Sequence, residues 1–113
     1  MEFEYIEKDG LLYPNLALGD TDRLNNLDKY GEMRLRYLHA KKPELYRELF
    51  FTGKLAEHCE QIEAVAFKMS EQIQEDYIAK NPLPEDDFWM RVSIRMMAQM
   101  VADEVVRFQV IEV

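Results

Sequence analysis

The sequence is short of the residues on which most metal and phosphate sites depend. Its 113 residues contain one cysteine, Cys59, two histidines, His39 and His58, and four glycines. One cysteine and two histidines cannot supply the four ligands of a structural zinc site, and neither histidine stands in the Glu-x-x-His pattern of a di-iron bundle. The glycines are too widely separated to form a phosphate-binding loop. We therefore predict no metal, no cofactor, no small-molecule substrate and no enzymatic activity.

Long apolar runs are also absent. No stretch approaches the roughly 18 apolar residues that a membrane helix needs. The first ten residues, MEFEYIEKDG, are acidic and lack the basic and then apolar order of a signal peptide. A single cysteine fits a reducing compartment. These features predict a soluble cytoplasmic protein that makes no membrane contact.

Positive charge is scarce overall but concentrated in one region. The formal net charge is -8, yet residues 29–54 contain seven basic residues and three acidic ones. An acidic chain repels nucleic acid at long range, although a local basic surface can still bind it. The candidate contacts for nucleic acid or an acidic partner are Arg36, Lys41, Lys42, Arg47 and Lys54, the basic 36–54 patch. Scattered solubilising charge is the more ordinary interpretation of the same residues.

The order of apolar residues predicts a mainly α fold in a single domain, residues 1–113. Alternation around Asp9-Gly10 predicts a small N-terminal β-hairpin, with strands over residues 2–7 and 11–16 inside a hairpin segment 1–18. Helical periodicity then predicts a helical body, residues 27–108, with four helices at about 27–42, 43–51, 54–80 and 85–108. The two longest are expected to form a long antiparallel pair, crossed by the other two. The β-branched tail RFQVIEV could add a strand to the hairpin.

The last predicted helix is apolar on two sides. One stripe runs from Met90 to Phe108, and a second consists of Trp89, Val92, Met96 and Met100. Two apolar stripes predict burial from both sides, either by the other helices or by a second copy of the chain. The second stripe is accordingly a candidate interaction face, although ordinary core or dimer packing also explains a methionine-rich helix.

The two arginines of MRLRYL are expected to have different roles. Arg34 shares a helix face with Tyr30, Met33 and Tyr37, whereas Arg36 points toward solvent. A buried guanidinium without a partner would be prohibitively costly. Arg34 is therefore predicted to stack on a tyrosine or to form a structural ion pair with a neighbouring helix.

Two segments resemble a known family. YGEMRLRYL (30–38) and KPELYRELFFTGKLAEH (42–58) carry a pattern of Tyr-Gly, Met-Arg, Arg-Tyr-Leu, Pro, Leu-Tyr and Gly-Lys-Leu followed by His. This pattern resembles the TnpV family, small proteins encoded by transposons and integrative conjugative elements of Gram-positive bacteria. The resemblance implies an accessory protein of a mobile element and supplies no catalytic residues.

Three functions remain open from the sequence. The first is a non-enzymatic accessory protein of a bacterial mobile element, acting through protein–protein or DNA contact. The second is a small DNA-binding module that uses the basic 36–54 patch. The third is a homodimeric structural or interaction protein that uses the last helix.

Overall fold

The computed structural model describes residues 5–8, 11–14 and 18–113 of the chain, with side chains described from residue 22 onward. Two four-residue strands come first, β1 (Tyr5–Lys8) and β2 (Leu11–Pro14). They pair antiparallel, with Tyr5 opposite Pro14 and Lys8 opposite Leu11. The predicted Asp9-Gly10 turn lies outside the described residues.

Helices account for most of the remaining chain. Five α-helices follow the strands: α1 (Leu18–Asn25), α2 (Lys29–Lys41), α3 (Pro43–Phe51), α4 (Leu55–Lys80) and α5 (Phe88–Val106). A π-helical turn, Arg107–Ile111, continues α5. Pro43 occupies the first turn of α3, where its missing N–H is not needed, and Gly53 takes a positive φ of 72° just after that helix.

The predicted fold class is wrong. The described residues form five α-helices where four were predicted, because α1 precedes residue 27, where the predicted helical body begins. The two strands that precede the helical body have four residues each, shorter than the strands predicted over 2–7 and 11–16, and residues 18–113 contain no strand. In place of the four predicted helices, the described residues form five helices and a π turn, after two short antiparallel strands.

The predicted C-terminal strand is also wrong. Residues 107–111 form the π turn, in which the Glu112 N–H donates to the Arg107 carbonyl at 2.8 Å. Val106 is fully buried, and the wider turn allows both Val110 and Ile111 to be buried after it. The β-branched tail is therefore buried as a continuation of the helix and not as a strand.

The chain divides into two compact units, Met1–Glu63 and Ala64–Val113, and the division falls inside α4. The single domain stays a prediction. The first unit has a core to which α1, α2 and α4 contribute: Leu24, Leu27, Leu35, Leu38, Leu55, Ala56 and Cys59. The α3 side chains that pack against this core are Leu45, Tyr46, Leu49 and Phe50.

In the second unit, the buried face of α5 differs from the faces that the sequence predicted. Its fully buried residues in that helix are Ala98, Ala102 and Val106, which follow one another at intervals of four. The two apolar stripes predicted from the sequence lie largely outside this buried face, since Met97 is 48% exposed and Met100 is 64% exposed. Within this chain, α5 therefore packs through its small residues and exposes its large ones.

Candidate functional site

A buried polar contact joins α2 to α4 in the first unit. Arg34 is only 5% exposed, and its Nε donates to Nε2 of His58 at 3.2 Å. The guanidinium carbon of Arg34 also lies 5.8 Å from the centre of the Tyr37 ring. Both arrangements compensate a charge that would otherwise be costly to bury. The expected stacking on a tyrosine is present, whereas an ion pair of Arg34 with a carboxylate stays a prediction.

The contact fixes the protonation state of the imidazole. An accepting Nε2 carries no proton, so the neutral ring of His58 is protonated at Nδ1. Burial lowers the pKa of His58, and the nearby positive charge of Arg34 lowers it further. Burial lowers the pKa of Arg34 as well. The pair is a guanidinium that donates to a neutral imidazole, so the Nε2 lone pair of His58 is occupied by this hydrogen bond.

Cys59, the residue that follows His58, is inaccessible to solvent. Cys59 is fully buried in the core of the first unit, and Tyr46 lies close enough for the two to interact electrostatically. Burial, with a smaller contribution from Cys59, raises the pKa of Tyr46 to about 12. A thiol without solvent contact cannot reach a substrate, so these residues behave as core.

A carboxylate that the sequence analysis did not single out holds the start of α2. Glu63, on α4, accepts a hydrogen bond through Oε2 from the backbone N–H of Asp28 at 2.7 Å. A side chain at Gly31 would overlap this carboxylate and the Leu27 side chain, which explains a glycine in the first helical turn. Burial raises the pKa of Glu63, although the Asp28 N–H opposes the shift. Gly31 was the available sequence signal for this contact.

A second carboxylate of α4 holds α1. Arg23 donates from Nε to both carboxylate oxygens of Glu60, each at 3.2 Å. The hydrogen bond lowers the pKa of Glu60. The two side chains are about two-fifths exposed, so the pair orients α1 more than it stabilises the fold.

The residues of the basic 36–54 patch lie at the surface. Lys42 is half-buried, and the other four are exposed: Arg36, Lys41, Arg47 and Lys54. Lys41 and Lys42 line a shallow hollow of about 460 Å³ beside Pro43. Lys54 lines a different hollow, of about 200 Å³, beside His58. The structure therefore places Lys41 and Lys42 along one hollow and Lys54 along another.

The candidate interaction face on α5 is larger than the sequence predicted. Of the four predicted residues, Trp89 is 77%, Met96 60% and Met100 64% exposed, whereas Val92 is half-buried. Helical geometry places further exposed α5 side chains on the same outward half of the helix, and Phe108 in the π turn that follows is exposed as well. Together these residues define the α5 apolar face: Trp89, Met90, Met96, Met97, Met100, Val101 and Phe108. Exposed methionines and aromatics of this kind mark contact surfaces.

The described part of the chain contains neither a cluster of metal ligands nor a membrane-spanning helix. No group of three or more metal-ligating side chains comes together there. None of the helices described combines the length and the apolar character that crossing a bilayer requires.

A family model described as transposon-encoded protein TnpV matches residues 4–111, nearly the whole chain, which confirms the resemblance drawn from residues 30–58. Searches of curated proteins and of solved structures gave no match.

Proposed function

The chain belongs to the TnpV family of transposon-encoded proteins, and from this premise we propose that it is a non-enzymatic accessory protein that works through protein–protein contact at the α5 apolar face. The exposure of that face is the observation that carries the proposal. Monomeric proteins rarely expose a large contiguous apolar surface, and those that do use it for contact. Here the outward half of α5 is apolar apart from Ser93 and Glu104, and its fully buried residues are Ala98, Ala102 and Val106, the reverse of an ordinary surface helix.

The buried chemistry of the first unit supports the same proposal. His58 accepts a hydrogen bond from Arg34, and Cys59 has no solvent contact. The Cys59 thiol is out of reach of a substrate and the Nε2 of His58 is already hydrogen-bonded, which supports roles in packing and orientation for both side chains.

Site-specific photo-cross-linking in cells tests this contact. A photoreactive amino acid replaces Met96 on the α5 apolar face, and in a matched control it replaces Ala64, an exposed residue of α4. We expect discrete adducts on denaturing gels from the Met96 position and none from the Ala64 position, with mass spectrometry identifying the bound protein. Equal labelling from the two positions, or no adduct at all, contradicts the proposal.

DNA binding is the second candidate, and the juxtaposition of Lys41 and Lys42 favours it. Fluorescence anisotropy with labelled duplex DNA measures affinity at several salt concentrations. If these lysines contact phosphates, Lys41→Ala/Lys42→Ala should reduce the slope of log affinity against log salt by roughly two, since each phosphate contact contributes about 0.9. The control is Lys68→Ala/Lys80→Ala, which removes the same charge from exposed positions of α4. An absence of binding at low salt, or equal slopes for the two double variants, rejects this function.

A further inference from the structure

The α5 apolar face has a symmetry in its sequence. Counting outward from the point between Ala98 and Gln99, four pairs of exposed residues stand at equal distances and are alike in polarity. The matched pairs are Met97 with Met100, Met96 with Val101, Ser93 with Glu104, and Trp89 with Phe108. Met90 is matched by Arg107 at the edge of the face. A helix face that reads alike in both directions can pair with a second copy of itself when the two run antiparallel.

The centre of the face has the spacing of a helix–helix seam. Ser93, Met97, Met100 and Glu104 are separated by four, three and four residues, which is the a/d spacing of a coiled coil. All four are exposed. In an antiparallel pair centred between residues 98 and 99, Met97 faces Met100 of the second copy and Ser93 faces Glu104 of the second copy.

We propose that the α5 apolar face binds a second copy of this chain, with the two α5 helices antiparallel about a two-fold axis between Ala98 and Gln99. The inference rests on the proposed function, because it names the partner of the same face. Ser93 and Glu104 are the two polar residues of the seam, and in this register the Ser93 hydroxyl donates to the Glu104 carboxylate. A parallel pair in register would instead place Glu104 against Glu104, and like charges at close range are unfavourable.

The rest of α5 is compatible with this geometry. Ala98, Ala102 and Val106 are fully buried within the chain and lie away from the seam, so a second copy covers only what the single chain leaves exposed. The helix has 19 residues and is therefore about 28 Å long. A single-helix seam of this length is at the small end of specific interfaces, which predicts a concentration-dependent dimer.

Engineered disulfides test the register. Ser93→Cys and Glu104→Cys are made in separate chains that carry different tags, and are mixed under mild oxidation. We expect a disulfide between the two tagged chains and little from either variant alone, since residue 93 faces residue 104 of the other copy. Buried Cys59 serves as an internal control, because the unmodified chain should form no disulfide. A disulfide that forms most readily between two Ser93→Cys chains, or none in any mixture, overturns the proposal.

Sedimentation velocity over a range of concentrations tests the contact itself. Met97→Glu should weaken self-association by at least about tenfold, the usual effect of losing a central interface contact. Ala64→Glu, which adds the same charge at an exposed position of α4, should leave it unchanged. Mixing Met97→Glu with Met100→Lys should restore association, because the register places the new charges opposite each other. Rescue in the mixture also shows that both variants remain folded.

The results separate this inference from the proposed function. A monomer at all concentrations, together with a Met96 photo-adduct to a different protein, overturns the self-pairing and leaves the proposed function standing. A monomer with no adduct contradicts both. A Met96 adduct to a second copy, with the register confirmed by the disulfides, supports both.

Discussion

At the scale of single residues, two neighbouring arginines have different environments and therefore different roles. Arg34 and Arg36 are two positions apart on α2, yet Arg34 is buried against His58 and Tyr37 whereas Arg36 is exposed. The difference follows from helical geometry, since a step of two residues rotates the side chain to the other side of the helix. A buried guanidinium is retained only where acceptors and an aromatic ring replace its hydration.

Arg34→Ala should therefore lower the free energy of unfolding by about 2–3 kcal/mol, because it removes a charged hydrogen bond and leaves the His58 acceptor buried. Arg36→Ala, the matched control, should change it by less than about 0.5 kcal/mol. Urea denaturation followed by circular dichroism measures both. Equal effects of the two substitutions would mean that the contact between Arg34 and His58 contributes little to stability.

At the scale of elements, α4 organises the first unit through its carboxylates and its apolar stripe. Its Glu60 binds Arg23 of α1, and its Glu63 binds the Asp28 N–H that precedes α2. A carboxylate at a helix N-terminus satisfies a free backbone donor and complements the helix dipole. The short helices α1 and α2 are in this way tied to the longest helix of the chain.

Gly31→Ala tests this arrangement. Alanine ordinarily stabilises a helix by up to about 1 kcal/mol relative to glycine, but here its Cβ would displace the Glu63 carboxylate and the Leu27 side chain. We expect a net destabilisation of about 1–3 kcal/mol. In a Glu63→Ala background the cost should be smaller, which a double-mutant cycle by urea denaturation measures. A stabilising Gly31→Ala in the otherwise unchanged chain would contradict the close approach.

At the scale of the whole molecule, net charge and exposed apolar surface oppose each other. Each chain carries a formal charge of -8, so two copies repel at long range. The α5 apolar face favours association at short range. The balance between these effects depends on salt, because ions screen the repulsion and leave apolar contact intact.

Self-association should therefore tighten several-fold between about 10 mM and 150 mM salt, as the screening length falls from about 30 Å to about 8 Å. Sedimentation equilibrium at the two salt concentrations measures the dissociation constant. DNA binding has the opposite dependence, since salt weakens phosphate contacts. Self-association that weakened with salt would point to a charged interface in place of the α5 apolar face.

Local pattern was sufficient for much of this protein. The limits of α2, α3 and α4 follow from periodicity, Pro43 and Gly53, and the family follows from the residues of 30–58. The separate roles of Arg34 and Arg36 also follow from spacing alone. These features depend on interactions within a few turns of helix, which the order of residues specifies directly.

Tertiary structure decided the rest. It was needed to show that α1 is a helix in a segment with loop-like composition, that the β-branched tail forms a π turn, and that Glu63 fills the space beside Gly31. It also decided which side of α5 is covered. A helix that is apolar on two sides carries no local signal for its buried face, and here Ala98 and Ala102 are buried whereas the methionines are exposed. The sequence by itself determined the helical class of the body and the family. Burial depends on contacts between residues far apart in the chain, and that is why only the folded structure could assign it.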